Sequence, residues 1–443
     1  MDTPIADFVK GYAQSNTSRL HMPGHKGQSF LGCEPYDITE IKGADELYEA
    51  EGIIAQSERN ATELFGTKQT IFSTEGSSQC VRAMLYLALH EKKGQQRPCV
   101  IAARNVHKSF LYAAALLDFD VVWLWPEEMH SLCSCKISPE QVAEELEKRK
   151  QKPFAVYVTC PDYLGGQLDI KSIAEICHAN QTVLLVDNAH GSYLHFLENK
   201  IHPMDLGADL CCDSAHKTLP VLTGGAYLQI NKNAPDSFAE NAKQAMALFG
   251  STSPSYLILT SLDLCNQYLS DGYEEKLAKT IAFLQQIRIQ LRANGWRIEQ
   301  TDPLKITIKS PAGMTGFDIA NRMRAYQIEC EYADAQYVVC MVTQENSEED
   351  LQKLVHALGK NTCASSEDVM LHPVKTEQKL SIRQAIFTQH ENIPVCDAVG
   401  RICGSPTVGC PPAIPIVVSG EVINKSAVEL FEYYGITHVD VVK

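Results

Sequence analysis

Between residues 70 and 230 the chain alternates short apolar runs with stretches of helical spacing. The runs cover 71–74, 99–103, 121–125, 154–159, 183–187, 209–213 and 226–230, and are rich in Val, Ile and aromatic residues. Helical patterns lie between several of them, at 78–91 and 139–150 for example. Buried strands alternating with helices predict an α/β core with a mostly parallel sheet, here of seven strands. Beyond residue 255 the texture changes. Residues 257–269 and 273–294 read as long helices, 296–299, 304–308 and 337–342 as strands, and 316–326 as a helix, which together predict a smaller α+β domain.

Residues 1–35 show little regular periodicity, and HMPGHKG at 21–27 reads as a loop. Residues 361–368 are polar enough for a linker, and the last segment carries the Pro- and Gly-dense stretch CGSPTVGCPPAIPIVVSGE. The expected division is an arm at 1–35, a large domain at 36–265, a small α+β domain at 266–362 and a C-terminal segment at 363–443. A length of 443 residues suits two or three domains.

Composition narrows the function. The net charge of −15 argues against a nucleic-acid scaffold, which carries a basic face. No apolar run approaches the roughly 18 residues of a membrane span, and the N-terminus lacks the basic-then-apolar order of a secretory signal. The sixteen cysteines are scattered through apolar stretches, as expected of reduced thiols in a cytoplasmic protein. Cys133 and Cys135 have no second pair at zinc-site spacing, so no metal site is expected.

The candidate chemistry sits at strand ends. CCDSAHKTL at 211–219 closes a buried strand with a small turn bearing Lys217, and a lysine held there can form a Schiff base with an aldehyde. Ser214 and His216 beside it are donors for an anionic phosphate. The plain alternative is an exposed loop lysine. TVLLVDNAHG at 182–191 ends an apolar strand in Asp187, placed to pair with a protonated pyridine nitrogen, with Ala189 small enough for a flat ring. A helix-capping Asp is the alternative. STEGSSQCVRAM at 73–84 is a strand end, a glycine and a helix start, where Gly76, Ser77 and Ser78 suit a phosphate or simple capping. His107, in ARNVHKSF at 103–110, is a stacking candidate or an ordinary polar loop residue.

Taken together these motifs resemble the pyridoxal-phosphate enzymes of the aspartate-aminotransferase fold, and in particular the Orn/Lys/Arg decarboxylase family in its short form without an N-terminal wing domain. The resemblance runs through HMPGHKG, DITEIKGADELYEAEG at 37–52, RNVHKS at 104–109, DNAHG at 187–191, SAHKTL at 214–219 and STSPSY at 251–256, and partly through AVGRI and CPPAIPIVVSGE. It implies that Lys217 holds pyridoxal 5′-phosphate as a Schiff base, that Asp187 sits on the ring nitrogen, and that His107 and Ala189 lie on the two ring faces. Ser77, Ser78, Ser214 and His216 would surround the phosphate, and Thr252 would reach the phosphate of a neighbouring subunit in a homodimer or larger homo-oligomer. The implied reaction is decarboxylation of a basic amino acid, arginine ahead of lysine and ornithine, to an amine that feeds polyamine metabolism. Lys217 or His107 would return the proton to Cα.

The chain departs from the family pattern at Asn188, where an acid is common, and at Cys410, Ala413 and Ser419 in the C-terminal stretch. These leave the cofactor residues in place and bear on the substrate, whose distal cation would meet Glu421 or Asp45. Transamination or β-elimination on the same scaffold is the alternative, and a cofactor-binding sensor with little turnover ranks last because Lys217 is present. Arg401 is a candidate for a carboxylate or an ordinary surface residue.

Overall fold

In the computed structural model the described residues are 1–92, 97–366, 369–372, 374–406 and 412–443. The seven apolar runs are all strands, shifted by at most two residues: β1 (Gln69–Ser73), β2 (Cys99–Ala103), β3 (Asp120–Leu124), β4 (Ala155–Thr159), β5 (Val183–Asp187), β6 (Leu210–Asp213) and β7 (Ala226–Ile230). They form one sheet in the order β1-β7-β6-β5-β4-β2-β3. β2 runs parallel to β3 and β4, and β5 to β6, while β7 runs antiparallel to both β1 and β6. The near-continuous burial of β5, β6 and β7 accounts for their largely apolar sequences: strands covered on both faces have no solvent side to mark with alternating polar residues.

Two compact units make up the chain. The first comprises Met1–Gly94 and Ile170–Lys276 and holds β1, β5, β6 and β7. Helix Ser77–Glu91 starts after Gly76, whose φ of 71° a side chain would resist. Helix Ile53–Phe65 ends on Gly66 in the left-handed conformation. The N-terminal arm is more regular than its sequence predicts, since Pro4–Gln14 is a helix that buries Ile5, Ala6 and Val9. Its first-turn N–H groups, those of Ile5 and Ala6, donate to Asp263 Oδ2 at 2.9 Å each. The cap therefore comes from a carboxylate far along the chain, although Thr3, Pro4 and Asp7 mark the helix start locally. HMPGHKG is irregular, as expected.

The second unit comprises Gln95–Asp169 and Leu277–Lys443. Beside β2, β3 and β4 it contains an antiparallel sheet of β8 (Arg297–Ile298), β9 (Lys305–Lys309), β10 (Tyr332–Ala333) and β11 (Tyr337–Met341), in the order β10-β11-β9-β8. Helices Gly316–Ala325 and Glu348–Leu358 begin with reciprocal side-chain caps, Thr315 with Asp318 and Ser347 with Asp350. The C-terminal segment adds an antiparallel pair, β12 (His390–Pro394) and β13 (His438–Val442), around a core that includes Val395, Ile416, Ile423, Phe431 and Val441. Among the described residues no helix is long and apolar enough to cross a membrane.

Candidate active site

In the first unit, three strand ends carry the chemistry. β1 runs through Gly76 into the helix that begins at Ser77, and Gly76 N–H is held by Gly224 O at 2.7 Å. Ser77 therefore lies in the first helical turn, where backbone N–H groups lack intrahelical partners. Ser214, at the end of β6, is buried and donates to Ser77 Oγ at 2.8 Å. Two hydroxyls from different strand ends thus meet at a helix N-terminus. Ser78 is half-buried in the same turn. The turn at 250–253, with Thr252 exposed, is tied to this loop through Ser251 N–H and Glu75 Oε1.

β5 ends in Asp187, 4% exposed. Its Oδ1 accepts from Ala189 N–H at 3.2 Å and from the Cys212 thiol at 3.5 Å. Burial, with Asp187 itself adding to it, pushes the Cys212 thiol well above its ordinary value, so the sulfur keeps its proton and remains a donor. Lys217 lies on the short helix Ala215–Thr218 after β6, and its Nζ is 3.0 Å from His190 Nε2. His216 Nδ1 donates to Gly225 O at 2.9 Å.

Below these residues Asp213 is fully buried and saturated. Asn188 Nδ2 and His202 Nε2 reach its Oδ1 at 2.5 and 3.2 Å, and Gln229 Nε2 donates to its Oδ2 at 3.0 Å. Asn188, the departure from the usual acid, is thus a donor to a carboxylate. His202, Cys211 and Asp213 lie close enough together to hold a metal, but Asp213 is already engaged with these three partners.

His107 belongs to the second unit. It caps helix Lys108–Leu117, with Nδ1 accepting from Ser109 N–H at 3.2 Å. That turn is joined to the C-terminal segment: Lys108 N–H donates to Ala413 O at 3.0 Å, and Arg104 donates to the carbonyls of Pro415 and Ile416 and to Glu421.

Two expectations are corrected here. Glu421 does not offer its carboxylate to a substrate cation, because it is buried against Arg104 at 3.2 Å and accepts from Val418 N–H at 2.7 Å. Asp45 accepts from the N–H groups of Glu46, Glu51, Gly52 and Ile54. Burial pulls its pKa up, but these donors outweigh that and hold the carboxyl below its usual value. Arg401 is engaged with Glu391 and Val442 O. Cys133 and Cys135 are buried thiols pushed by that burial to about 12 and about 11. Cys410 lies outside the described residues. His190 was passed over in the sequence, although it stands inside the motif that supplied Asp187 and Ala189.

A mostly parallel seven-stranded sheet, with a lysine after one strand, a buried carboxylate ending its neighbour and hydroxyls at a helix start, defines the fold of the pyridoxal-phosphate enzymes of the aspartate-aminotransferase kind. Comparison with known proteins sharpens this. The model of the Orn/Lys/Arg decarboxylase major domain matches residues 3–342, and that of the C-terminal domain matches residues 358–438. An arginine decarboxylase of Halalkalibacterium halodurans is 30% identical over 457 residues, covering 96% of this chain and 91% of that protein. An arginine decarboxylase of Bacillus subtilis is 28% identical, covering 96% of this chain and 92% of its own length. The solved lysine decarboxylase of Francisella novicida shares the fold with a TM-score of 0.82 at 16% identity, covering 100% of this chain and 81% of that one. The chain belongs to the Orn/Lys/Arg decarboxylase family and is an amino-acid decarboxylase dependent on pyridoxal phosphate.

Proposed function

We propose that this chain decarboxylates arginine, in preference to lysine or ornithine, and that its amine product enters polyamine metabolism. The observation that carries the reading is the set of side chains at the ends of β1, β5 and β6. They fit pyridoxal phosphate group by group. The paired hydroxyls of Ser77 and Ser214 at a helix start suit its phosphate, with Ser78 and His216 nearby in sequence. The buried Asp187 suits a protonated ring nitrogen, Ala189 leaves a ring face open, and Lys217 supplies the amine. When bound, the cofactor acts as an electron sink for the pair left on Cα as the carboxylate departs.

The chain's own residues do the rest. Asp187, fixed by Ala189 N–H and the Cys212 thiol, holds positive charge on the ring nitrogen without reorienting. Lys217 would give up its place to the substrate amine, and Lys217 or His107 would return a proton to Cα. His107, its ring set by the hydrogen bond from Ser109 N–H, presents a flat face for stacking. With Glu421 and Asp45 occupied, the distal guanidinium needs other carboxylates. Thr252 is assigned to a neighbouring subunit's phosphate, in a cytoplasmic homodimer or larger homo-oligomer, and its exposed turn supports that assignment.

The test is a side-by-side panel of arginine, lysine and ornithine with carbon dioxide and product identified. Carbon dioxide and agmatine in equal amounts, fastest from arginine and absent in Lys217→Ala, is the expected result. Keto acid or ammonia without carbon dioxide contradicts it.

A further inference from the structure

His190 is 5% exposed on the turn after β5, and its Nε2 is 3.0 Å from Lys217 Nζ. A lysine ammonium has three donors and no acceptor, so the bond runs from Nζ to the imidazole lone pair. The neutral ring then carries its proton on Nδ1. The turn itself is fixed. Gly191 N–H closes it onto Asn188 O at 2.8 Å, and Asn188 is anchored by its side chain to Asp213. A Cβ added at Gly191 would stand 2.1 Å from Asn188 Oδ1 and 2.7 Å from Leu194 Cδ1, so the residue after His190 must be glycine for the turn to close as it does. The imidazole is therefore held in place by its turn and aimed at one amine.

We propose that His190 is the proton acceptor that turns Lys217 from an ammonium into a nucleophile for cofactor capture. This rests on the role given above to Lys217. An ammonium has no lone pair with which to attack a carbonyl. Nζ passes one proton to His190 Nε2, and the freed amine adds to the aldehyde carbon. Its two remaining hydrogens leave with the carbonyl oxygen as water, and the proton on His190 returns to the imine nitrogen. The carbon–nitrogen double bond replaces the carbon–oxygen one, and no oxidant or reductant is needed.

The experiment measures capture, not turnover. Cofactor-free protein is mixed with pyridoxal phosphate at pH 7, quenched with borohydride at intervals, and the label on Lys217 is followed by peptide mass. His190→Gln keeps a hydrogen-bond acceptor but cannot take up a proton, and His190→Ala leaves space for added imidazole. Both variants, checked for folding by circular dichroism, should label Lys217 at least about tenfold more slowly, as loss of a general base does. Imidazole should restore the rate in His190→Ala. Labelling of His190→Gln at the wild-type rate, or failure of imidazole to rescue His190→Ala, overturns the proposal. A second probe, trinitrobenzenesulfonate, reads the free amine of Lys217 without any cofactor. Slower modification in His190→Gln supports the proposal even if the wild type captures no cofactor and the functional reading fails. An unchanged rate overturns it.

Discussion

Removing the Glu421 carboxylate should loosen the C-terminal segment from the turn that carries His107. Arg104 and Glu421 are 7% and 3% exposed and 3.2 Å apart, so each charge depends on the other for compensation. Taking away one member of such a buried pair costs about 3–5 kcal/mol, because the remaining charge stays buried alone. Glu421→Ala also strands the Val418 N–H, which the carboxylate accepts at 2.7 Å. A loss near the upper end of that range is therefore expected. Glu421→Gln keeps an acceptor for Val418 and a neutral bond to Arg104, and should cost about half as much. The double variant Arg104→Met with Glu421→Leu leaves no charge behind and should be less destabilised than Glu421→Ala alone. The assay is urea unfolding followed by tryptophan fluorescence. Arg104 lies over Trp123 at 5.0 Å and Trp125 at 5.1 Å, two of the three tryptophans in the chain, so the signal comes from the pair itself. A cost below about 1 kcal/mol for Glu421→Ala, or a double variant as damaged as the sum of the singles, would refute the reasoning.

Three further outcomes follow from single residues. Ala413 has φ of 59°, in the left-handed region where a Cβ costs roughly 1 kcal/mol, so Ala413→Gly should raise the unfolding free energy by about that much in the same urea assay. Asn188→Asp sets a second carboxylate against the saturated Asp213, so thermal unfolding should show a stability loss of at least about 2 kcal/mol that grows between pH 5 and pH 8 as the new acid ionises. His178 is raised above its ordinary 6.5 by its hydrogen bond to Asp209, against the opposing effect of burial. A raised histidine stabilises the fold below its unfolded pKa and loses that effect as pH rises through the folded one. Melting temperatures of His178→Gln and the wild type should therefore differ most below about pH 6.5 and converge at higher pH, the gap being small because the imidazole is half-exposed.

The large sheet was legible because strands buried on both faces are largely apolar, and runs as short as 183–187 and 226–230 fit strands better than helices. The residues at their ends were legible for a related reason: in this architecture the carboxyl ends of strands are where side chains meet ligands. What a sequence does not carry is pairing at a distance. Helix Pro4–Gln14 was missed although Thr3 and Pro4 mark its start, but its capping partner Asp263 is of this distant kind, and Ser77 and Ser214 come from strand ends 137 positions apart. The same blindness misassigned Glu421 and Asp45. An acid in a loop reads alike whether it faces a ligand or a set of backbone N–H groups, and here one meets Arg104 and the other a ring of amides. His190 was missed although it stands in the same motif as Asp187 and Ala189, because nothing in that motif names its partner. Its distinguishing neighbour, Lys217, stands on the next strand's turn.

The most direct measurement is to load the protein with pyridoxal phosphate, reduce it with borohydride and map the attached group by peptide mass while following carbon dioxide from arginine. The account predicts a single label, on Lys217, and no carbon dioxide from Lys217→Ala. A label on another lysine, or undiminished carbon dioxide from that variant, contradicts it.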